Sequence, residues 1–162
     1  MGKMGTFMEF TKEAFNHLDN TTKDLTEEQL DWKSCPEANT IRWILGHLLE
    51  QWYGAFPKIL SAGDKALEWE GYKVMRERAL ARGYSGVVGK GLEQIKIDLI
   101  EGKKFLLNGL EKLNDEDLAR EIEWFRGKLP MLNYLIIFVA EIFHHEGQIA
   151  AIRGVEKRIK GL

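Results

Sequence analysis

The segment from residue 88 to residue 113 constrains the fold most, because its apolar residues and glycines recur at alternating steps of four and three. This spacing places a single stripe on one side of an α-helix and leaves charged residues on the remaining surface. The stripe consists of Val88, Leu92, Ile95, Leu99, Gly102, Leu106, Gly109 and Leu113. Such a helix is stable only when it packs against other helices, and its two glycines predict close approach by a neighbour.

Three further segments show the periodicity of amphipathic helices. They cover residues 4–18, a stretch that begins at Asn39 or Thr40, and a last stretch that Pro130 opens and Gly154 ends. No segment alternates apolar and polar residues over enough positions to predict a strand. Four long helices with apolar stripes and polar outer faces predict an all-α fold, namely an up-and-down four-helix bundle.

Local sequence signals predict one short helix and one helix bend. Residues 19–24, DNTTKD, predict a polar link, after which Thr26 and Gln29 have the spacing of a capping box for a short helix. Gly54 and Pro57 should bend or end the second long helix, because glycine is flexible and proline lacks a backbone donor.

The longest connection covers residues 63–91, where aromatic and charged residues are mixed with glycines. We interpret it as a connection with partial helix that covers one end of the bundle. Its glycines follow no strand and lack the phosphate-loop pattern, which argues against nucleotide binding. Further along, Asn114 should cap a short turn.

Length and composition bound the function. At 162 residues the chain suits a single domain, which we place at residues 1–162. With a net charge of −2, the chain has no positive electrostatic field that would attract a nucleic acid, so we expect no nucleic acid partner. Cys35 is the single cysteine and the first ten residues are too polar for a signal peptide, so we expect a cytoplasmic protein. The longest apolar run, residues 135–140, is far short of the ~20 residues of a membrane span, so we expect no membrane association.

Polar groups interrupt the apolar surface of the last helix at its centre. One row along this helix is apolar at both ends and polar between them, and it consists of Tyr134, Ile137, Phe138, Glu141, His145, Gln148 and Ile152. Glu141 and His145 lie one turn apart and can point at the same atom. Because unpaired burial of such groups is costly, the sequence predicts a partner that compensates them.

A second strip lies about 100° away from this row and consists of His144 with the small residues Ala140, Gly147 and Ala151. Small side chains allow close approach, so the strip suits tight helix packing or a subunit contact. Together with the glycines at positions 102 and 109, it is one reason to expect a homodimer.

His47 provides a counterpart on the second helix, where it stands beside the apolar stripe. A lone histidine in such a place is more often a hydrogen-bonded core residue than a ligand. One histidine on each of two helices plus a carboxylate is different, because this set matches catalytic zinc and non-haem iron sites. Helix bundles build such sites from side chains on facing helices.

The segments WILGHLLEQ, around His47, and HHEGQIAAIRG, from His144 onward, resemble the DinB/YfiT-like superfamily. By helix order the resemblance covers essentially the whole chain. It implies a four-helix bundle, usually dimeric, with a divalent metal held by one histidine of the second helix and two ligands spaced four apart on the last. By position these ligands are His47, Glu141 and His145, and Glu141 stands where the family more often has histidine.

The glutamate leaves two interpretations open. The site binds a divalent ion, with zinc or nickel favoured over iron or manganese, or this member has lost its metal. In the second case Glu141 and His145 form only an i, i+4 pair worth ~0.2–0.5 kcal/mol. A slight rotation of the helix would make His144 the ligand instead. We expect Gln51, His144 and Gln148, each close to a proposed ligand, to orient ligands, water or substrate.

The resemblance also implies a reaction. Characterised relatives include S-transferases that use low-molecular-weight thiols and a thiol-dependent isomerase, so we expect thiol transfer to an electrophile on a small-molecule substrate. Metal-assisted hydrolysis comes second, and no residue stands out as a general base. The alternative from another class is a non-catalytic helical dimer that binds a small molecule or a protein partner in stress response, with a degenerate metal site.

Overall fold

The computed structural model describes residues 2–61 and 91–161, and within these ranges four long helical units enclose one core. The elements are α1 (Lys3–Thr22), α2 (Glu27–Asp31), α3 (Ile41–Glu50), a π-helical turn (Gln51–Ala55), α4 (Phe56–Ser61), α5 (Leu92–Leu110), a 3₁₀ turn (Asp117–Ala119), β1 (Glu121–Trp124), β2 (Gly127–Pro130) and α6 (Met131–Lys160). α1 and α3 each pack against both α5 and α6. The all-α prediction is confirmed, and residues 63–90 of the connection predicted at residues 63–91 lie outside the described residues.

The stripe on α5 faces the core as its spacing predicts. From Leu92 to Leu113 every member of the stripe is buried, whereas Val88 lies outside the described residues. A Cβ atom added at Gly102 would lie 2.8 Å from the ring of Trp52, and one at Gly109 would lie 2.5 Å from a methyl carbon of Leu60. The predicted close approach at both glycines is therefore confirmed.

Three predicted caps are also confirmed. The Thr26 hydroxyl accepts a bond from the backbone N–H of Gln29, whose side chain accepts one from the Thr26 N–H in return. The Thr40 hydroxyl accepts a bond from the N–H of Trp43 and begins α3. The side-chain oxygen of Asn114 accepts two backbone bonds, at 2.9 Å and 3.0 Å, and starts the turn before the hairpin.

The prediction that residues 19–24 form a link is wrong over its first four residues, because α1 continues to Thr22. The Thr22 hydroxyl donates to the carbonyl of Leu18 at 2.7 Å, and the Arg153 guanidinium donates to the carbonyl of Thr21. These contacts satisfy groups at the helix end, so packing against α6 overrides the low helix propensity of the threonines.

Gly54 and Pro57 do not end the second long helix, which continues through the π-helical turn into α4. The turn is widened, since the N–H of Phe56 donates to the carbonyl of Gln51, five residues earlier. A proline ring clashes with the carbonyl four residues before it in a regular α-helix, and a wider turn relieves that clash. The predicted disturbance is thus a bulge within a continuous helical stretch.

The predicted end of the last helix at Gly154 is wrong, because α6 covers Met131–Lys160 and ends at Gly161, which has a φ of +69°. Pro130 stands immediately before the helix as its N-cap. Glu156, beyond Gly154, is buried against α2, and this tertiary contact keeps the last turns helical.

By length and mean hydropathy α6 would also qualify as a membrane span, although the core helix of a soluble bundle passes the same test. Its contacts with α1, α3 and α4 are those of a core helix. The absence of membrane association stays a prediction.

The β-hairpin before α6 corrects the expectation that the chain has no strand. β1 and β2 pair antiparallel with Trp124 opposite Gly127, and Phe125 and Arg126 form the turn. Gly127 has a φ of +85°, which a residue with a Cβ rarely adopts. The Tyr134 hydroxyl donates to the Gly127 carbonyl and ties the hairpin to α6.

Candidate metal centre and adjoining cleft

The facing surfaces of α3 and α6 bring the three predicted ligands together. The imidazole rings of His47 and His145 meet edge to face, with centroids 5.0 Å apart. Nine residues after His47, the ring of Phe56 meets that of Phe138, seven residues before His145, at 4.8 Å. The two helices therefore run antiparallel, and Glu141 lies on α6 between the two contacts.

The donor atoms fit one small cation. Each of His47, Glu141 and His145 offers one donor atom, and these atoms all lie within 4.8 Å of one another. His145 Nε2 and Glu141 Oε2 are 3.4 Å apart. Donors about 2.1 Å from a tetrahedral zinc are ~3.4 Å apart, so the pair on α6 already has this spacing. Small side-chain movements would bring the third donor into range.

The surroundings of His145 favour the neutral imidazole, which is the form that binds metals. Its side chain is buried, and this burial lowers the pKa of the imidazole, as do the neighbouring His47 and His144, while Gln148 and Glu141 act in the opposite direction. Its Nε2 atom is buried and has no hydrogen-bond partner within the described parts of the chain. A buried polar atom without a partner is rare and marks a place where a ligand would be stabilised.

Gln148 fixes which nitrogen of His145 carries the proton. Its amide nitrogen lies 3.1 Å from His144 Nε2, and its amide oxygen lies 2.9 Å from His145 Nδ1. Because the amide nitrogen donates and the oxygen accepts, His145 carries its proton on Nδ1 and keeps a lone pair on Nε2. His144 is exposed and outside the donor cluster, so it supports Gln148 and is not brought into the site as a ligand.

His47 is positioned from two sides. The indole of Trp43 stacks on its ring, with centroids 5.2 Å apart and an interplanar angle of 8°. The amide nitrogen of Gln51 lies 2.7 Å from His47 Nε2 and donates to it. This N–H engages the imidazole lone pair, as a metal ion would.

Glu141 departs from the expectation of a desolvated carboxylate. Its side chain remains 39% exposed, whereas that of His145 is 7% exposed. The difference arises because the α6 row passes from the helix interface into an open cleft, and Glu141 lines that cleft. The histidine is therefore the buried member of the pair.

The cleft has a volume of about 530 Å³, which lies within the usual range of small-molecule sites. Its walls come from α3, the π-helical turn, α4, the hairpin and α6. They consist of His47, Glu50, Gln51, Gly54, Ala55, Lys58, Ile59, Trp124, Phe125, Arg126, Tyr134, Ile137, Phe138 and Glu141. Two of the three candidate ligands thus face a space that can hold a substrate.

The hairpin wall of the cleft is the part that sequence reasoning missed. Trp124 and Phe125 pack their rings 4.8 Å apart, and each ring also contacts Tyr134. The available signal was the alternation in EIEW followed by a glycine, at residues 121–127.

Comparisons with known proteins agree with this architecture. A solved structure, described as a conserved protein from Enterococcus faecalis, matches with a TM-score of 0.64 over 96% of this chain and 97% of that chain. At 14% sequence identity this similarity shows a shared fold. No curated protein matches the chain. The family model of the DinB superfamily matches residues 11–149, which include all three candidate ligands. The chain therefore belongs to the DinB superfamily.

Proposed function

We propose that this chain is a metal-dependent enzyme that holds a divalent ion through His47, Glu141 and His145 and acts on a small molecule in the adjoining cleft. The observation that carries the proposal is the convergence of three donor atoms within 4.8 Å of one another beside this cleft. The buried Nε2 of His145, which has no hydrogen-bond partner in the described structure, supports it further.

Two imidazoles and one carboxylate suit zinc or nickel, with iron or manganese as further candidates. When bound, such an ion would act as a Lewis acid and lower the pKa of a bound water or thiol. The surrounding residues have separate roles in this proposal. Gln148 holds the His145 ring, Trp43 holds the His47 ring, and Glu141 supplies the negative charge. Gln51 donates to His47 in the metal-free protein, and an ion bound at that lone pair would release its amide to orient water or substrate.

The reaction we propose is transfer of a low-molecular-weight thiol to an electrophile, with hydrolysis as the second candidate. The superfamily supports this choice, because its characterised members include thiol S-transferases.

We also propose a cytoplasmic homodimer. Ala140, His144, Gly147 and Ala151 are all exposed on the outer side of α6, and a Cβ atom added at Gly147 would contact nothing within 4 Å. Gly102 and Gly109 do not contribute to this surface, because they pack inside the bundle. Sedimentation at micromolar concentration that shows a monomer would contradict the dimer.

Metal analysis tests the proposed function. Protein purified without chelators or added metal should contain a stoichiometric transition metal, and His47→Ala should lose it. His17→Ala is the matched control, because His17 is exposed on α1, where it pairs with Glu13 at 3.4 Å, and it is not part of the donor cluster. The proposal would be contradicted if wild-type protein contained no metal and also failed to bind added zinc, nickel, iron and manganese. That result would favour a non-catalytic binding protein.

A further inference from the structure

We infer that the cleft binds a small organic acid, with its apolar body along the groove and its anionic group at Arg126, remote from the metal ligands. The inference rests on the proposed function only where it assigns the reacting end of this molecule to His47, Glu141 and His145. The residues in the walls of the cleft support the binding site itself.

The cleft is a groove with two distinct ends. Successive turns of the stretch from α3 to α4 line one wall, from His47 at one end to Ile59 at the other. Successive turns of α6 line the opposite wall, from Glu141 back to Tyr134. Seven residues of helix correspond to roughly 10 Å, so the far end lies about that distance from the metal ligands.

Charges are segregated between these ends. The acids Glu50 and Glu141 lie at or within one turn of the candidate ligands. The cations Lys58 and Arg126 line the other end, since the hairpin turn that carries Arg126 contacts Tyr134. A ligand with an anionic tail would therefore bind in one orientation, because the reverse orientation would place its negative charge beside two carboxylates.

Arg126 is the residue best placed to bind the anion. Its guanidinium carbon lies 5.7 Å from the centre of the Phe125 ring, and no carboxylate of the described residues forms an ion pair with it. The planar guanidinium can donate two parallel hydrogen bonds to a carboxylate, sulfonate or phosphate.

The apolar part of the ligand would lie on aromatic rings. Phe125 is 61% exposed at the edge of the groove, and its ring packs against Trp124 and Tyr134. Ile137 and Phe138 extend this surface toward Glu141. A hydrophobic body about 10 Å long, with an acid at one end, matches both the length and the chemistry of the groove.

Two dyes that differ by one sulfonate group test the inference. The dye 8-anilinonaphthalene-1-sulfonate carries an anion, whereas N-phenyl-1-naphthylamine has the same rings without the sulfonate. We expect the sulfonate dye to bind wild type about tenfold more tightly than the neutral dye, a difference of ~1.4 kcal/mol. Arg126→Gln should abolish this preference and leave the affinity for the neutral dye unchanged.

Lys128→Gln is the matched control. Lys128 lies on the same hairpin and pairs with Glu121 at 2.6 Å, and it does not line the cleft. The control should bind both dyes like wild type. Binding of the sulfonate dye in the groove should change the NMR chemical shifts of the backbone amides of Gly54 and Gly127. Three results would overturn the inference: an affinity of Arg126→Gln for the sulfonate dye equal to that of wild type, no binding of the sulfonate dye to wild type at millimolar concentration, or chemical-shift changes confined to residues outside the cleft.

The titrations are made on chelator-treated protein and again after addition of zinc, so the two proposals can fail separately. If the protein binds no metal but Arg126→Gln still removes the preference for the anion, the inference stands and the proposed function fails. If Arg126→Gln binds both metal and dyes as wild type does, the anion site is refuted and the metal centre is unaffected.

Discussion

Two acid–base pairs with identical i, i+4 spacing on α6 have opposite environments. In the pair of Glu156 and Lys160 the acid is buried, and both carboxylate oxygens are bonded, one to Lys160 at 2.8 Å and one to Gln29 at 3.0 Å. In the pair of Glu141 and His145 the base is buried, and its Nε2 lies 3.4 Å from the acid without a hydrogen bond.

This difference separates a structural pair from a candidate site. A buried carboxylate whose two oxygens are already bonded has little capacity left for a ligand, and it holds α2 against α6. A buried imidazole with a free lone pair, next to a half-exposed carboxylate, gains by binding a cation. The spacing on the helix is identical, so the neighbouring helices decide the role of each pair.

Replacing each of the two acids, Glu141 and Glu156, by glutamine tests this comparison, and the change at Glu141 should have the largest effect. Glu141→Gln should lower zinc affinity at least about 100-fold, because it removes a proposed ligand and not only a supporting group. Competition with a chelator measures this affinity. Glu141→His should retain zinc, with altered selectivity, since it restores a three-histidine set. If Glu141→Gln melts higher than wild type and binds zinc as tightly, the carboxylate is no ligand.

Glu156→Gln should have the opposite profile. It removes a buried anion that accepts two bonds, so the free energy of unfolding should fall by about 1–3 kcal/mol. Urea unfolding of the metal-free protein measures this, and zinc affinity should equal that of wild type. A loss of zinc binding in this variant would show that the two pairs are not independent.

Gln148 provides a smaller and more specific test. Gln148→Leu removes the acceptor that holds the His145 proton on Nδ1, so zinc affinity should fall about tenfold with little change in stability. Gln148→Glu keeps an acceptor at this position and should retain zinc binding. Nitrogen shifts of the His145 ring in metal-free protein should report an Nδ1–H tautomer in wild type and a mixture in the leucine variant. Equal zinc affinity and tautomer in all three proteins would exclude this role.

The smallest effect is the pH dependence of the structural pair. The hydrogen bond from Lys160, followed by that from Gln29, lowers the pKa of Glu156 below its ordinary value of 4.5. A lowered pKa in the folded state stabilises the protein above the unfolded-state value, and this contribution is lost as the pH falls through the folded-state pKa. The stability difference between wild type and Glu156→Gln should therefore be full at pH 7 and shrink below about pH 4.5. A difference that stays constant from pH 7 to pH 3 would contradict this.

Local periodicity explains why much of the site could be predicted. The row on α6 and the position of His47 beside the apolar stripe of α3 follow directly from helical spacing. The structure brings His47, Glu141 and His145 together as this spacing indicates. The hairpin could not be predicted in this way, because each strand has four residues and the strands are stabilised by tertiary contacts such as the bond from Tyr134. The hairpin forms one wall of the cleft, so the shape of the cleft could not be predicted from the sequence either.

The ends of the helices also could not be predicted from local sequence signals alone. Gly154 resembles a helix end in sequence, but the contact between Glu156 and α2 keeps α6 regular for six further residues, up to Lys160. Pro57 resembles a helix breaker, but the π-helical turn accommodates it. Local signals predicted where each helix would be disturbed, and only packing decides whether the helix stops there.

Anomalous diffraction from crystals of the zinc-loaded protein, recorded at the zinc absorption edge, tests the central claim most directly. The account predicts one strong peak within ~2.0–2.2 Å of a ring nitrogen of His47, of Nε2 of His145 and of a carboxylate oxygen of Glu141. No peak at these three residues under excess zinc, or a peak held by His144 without His145, would contradict it.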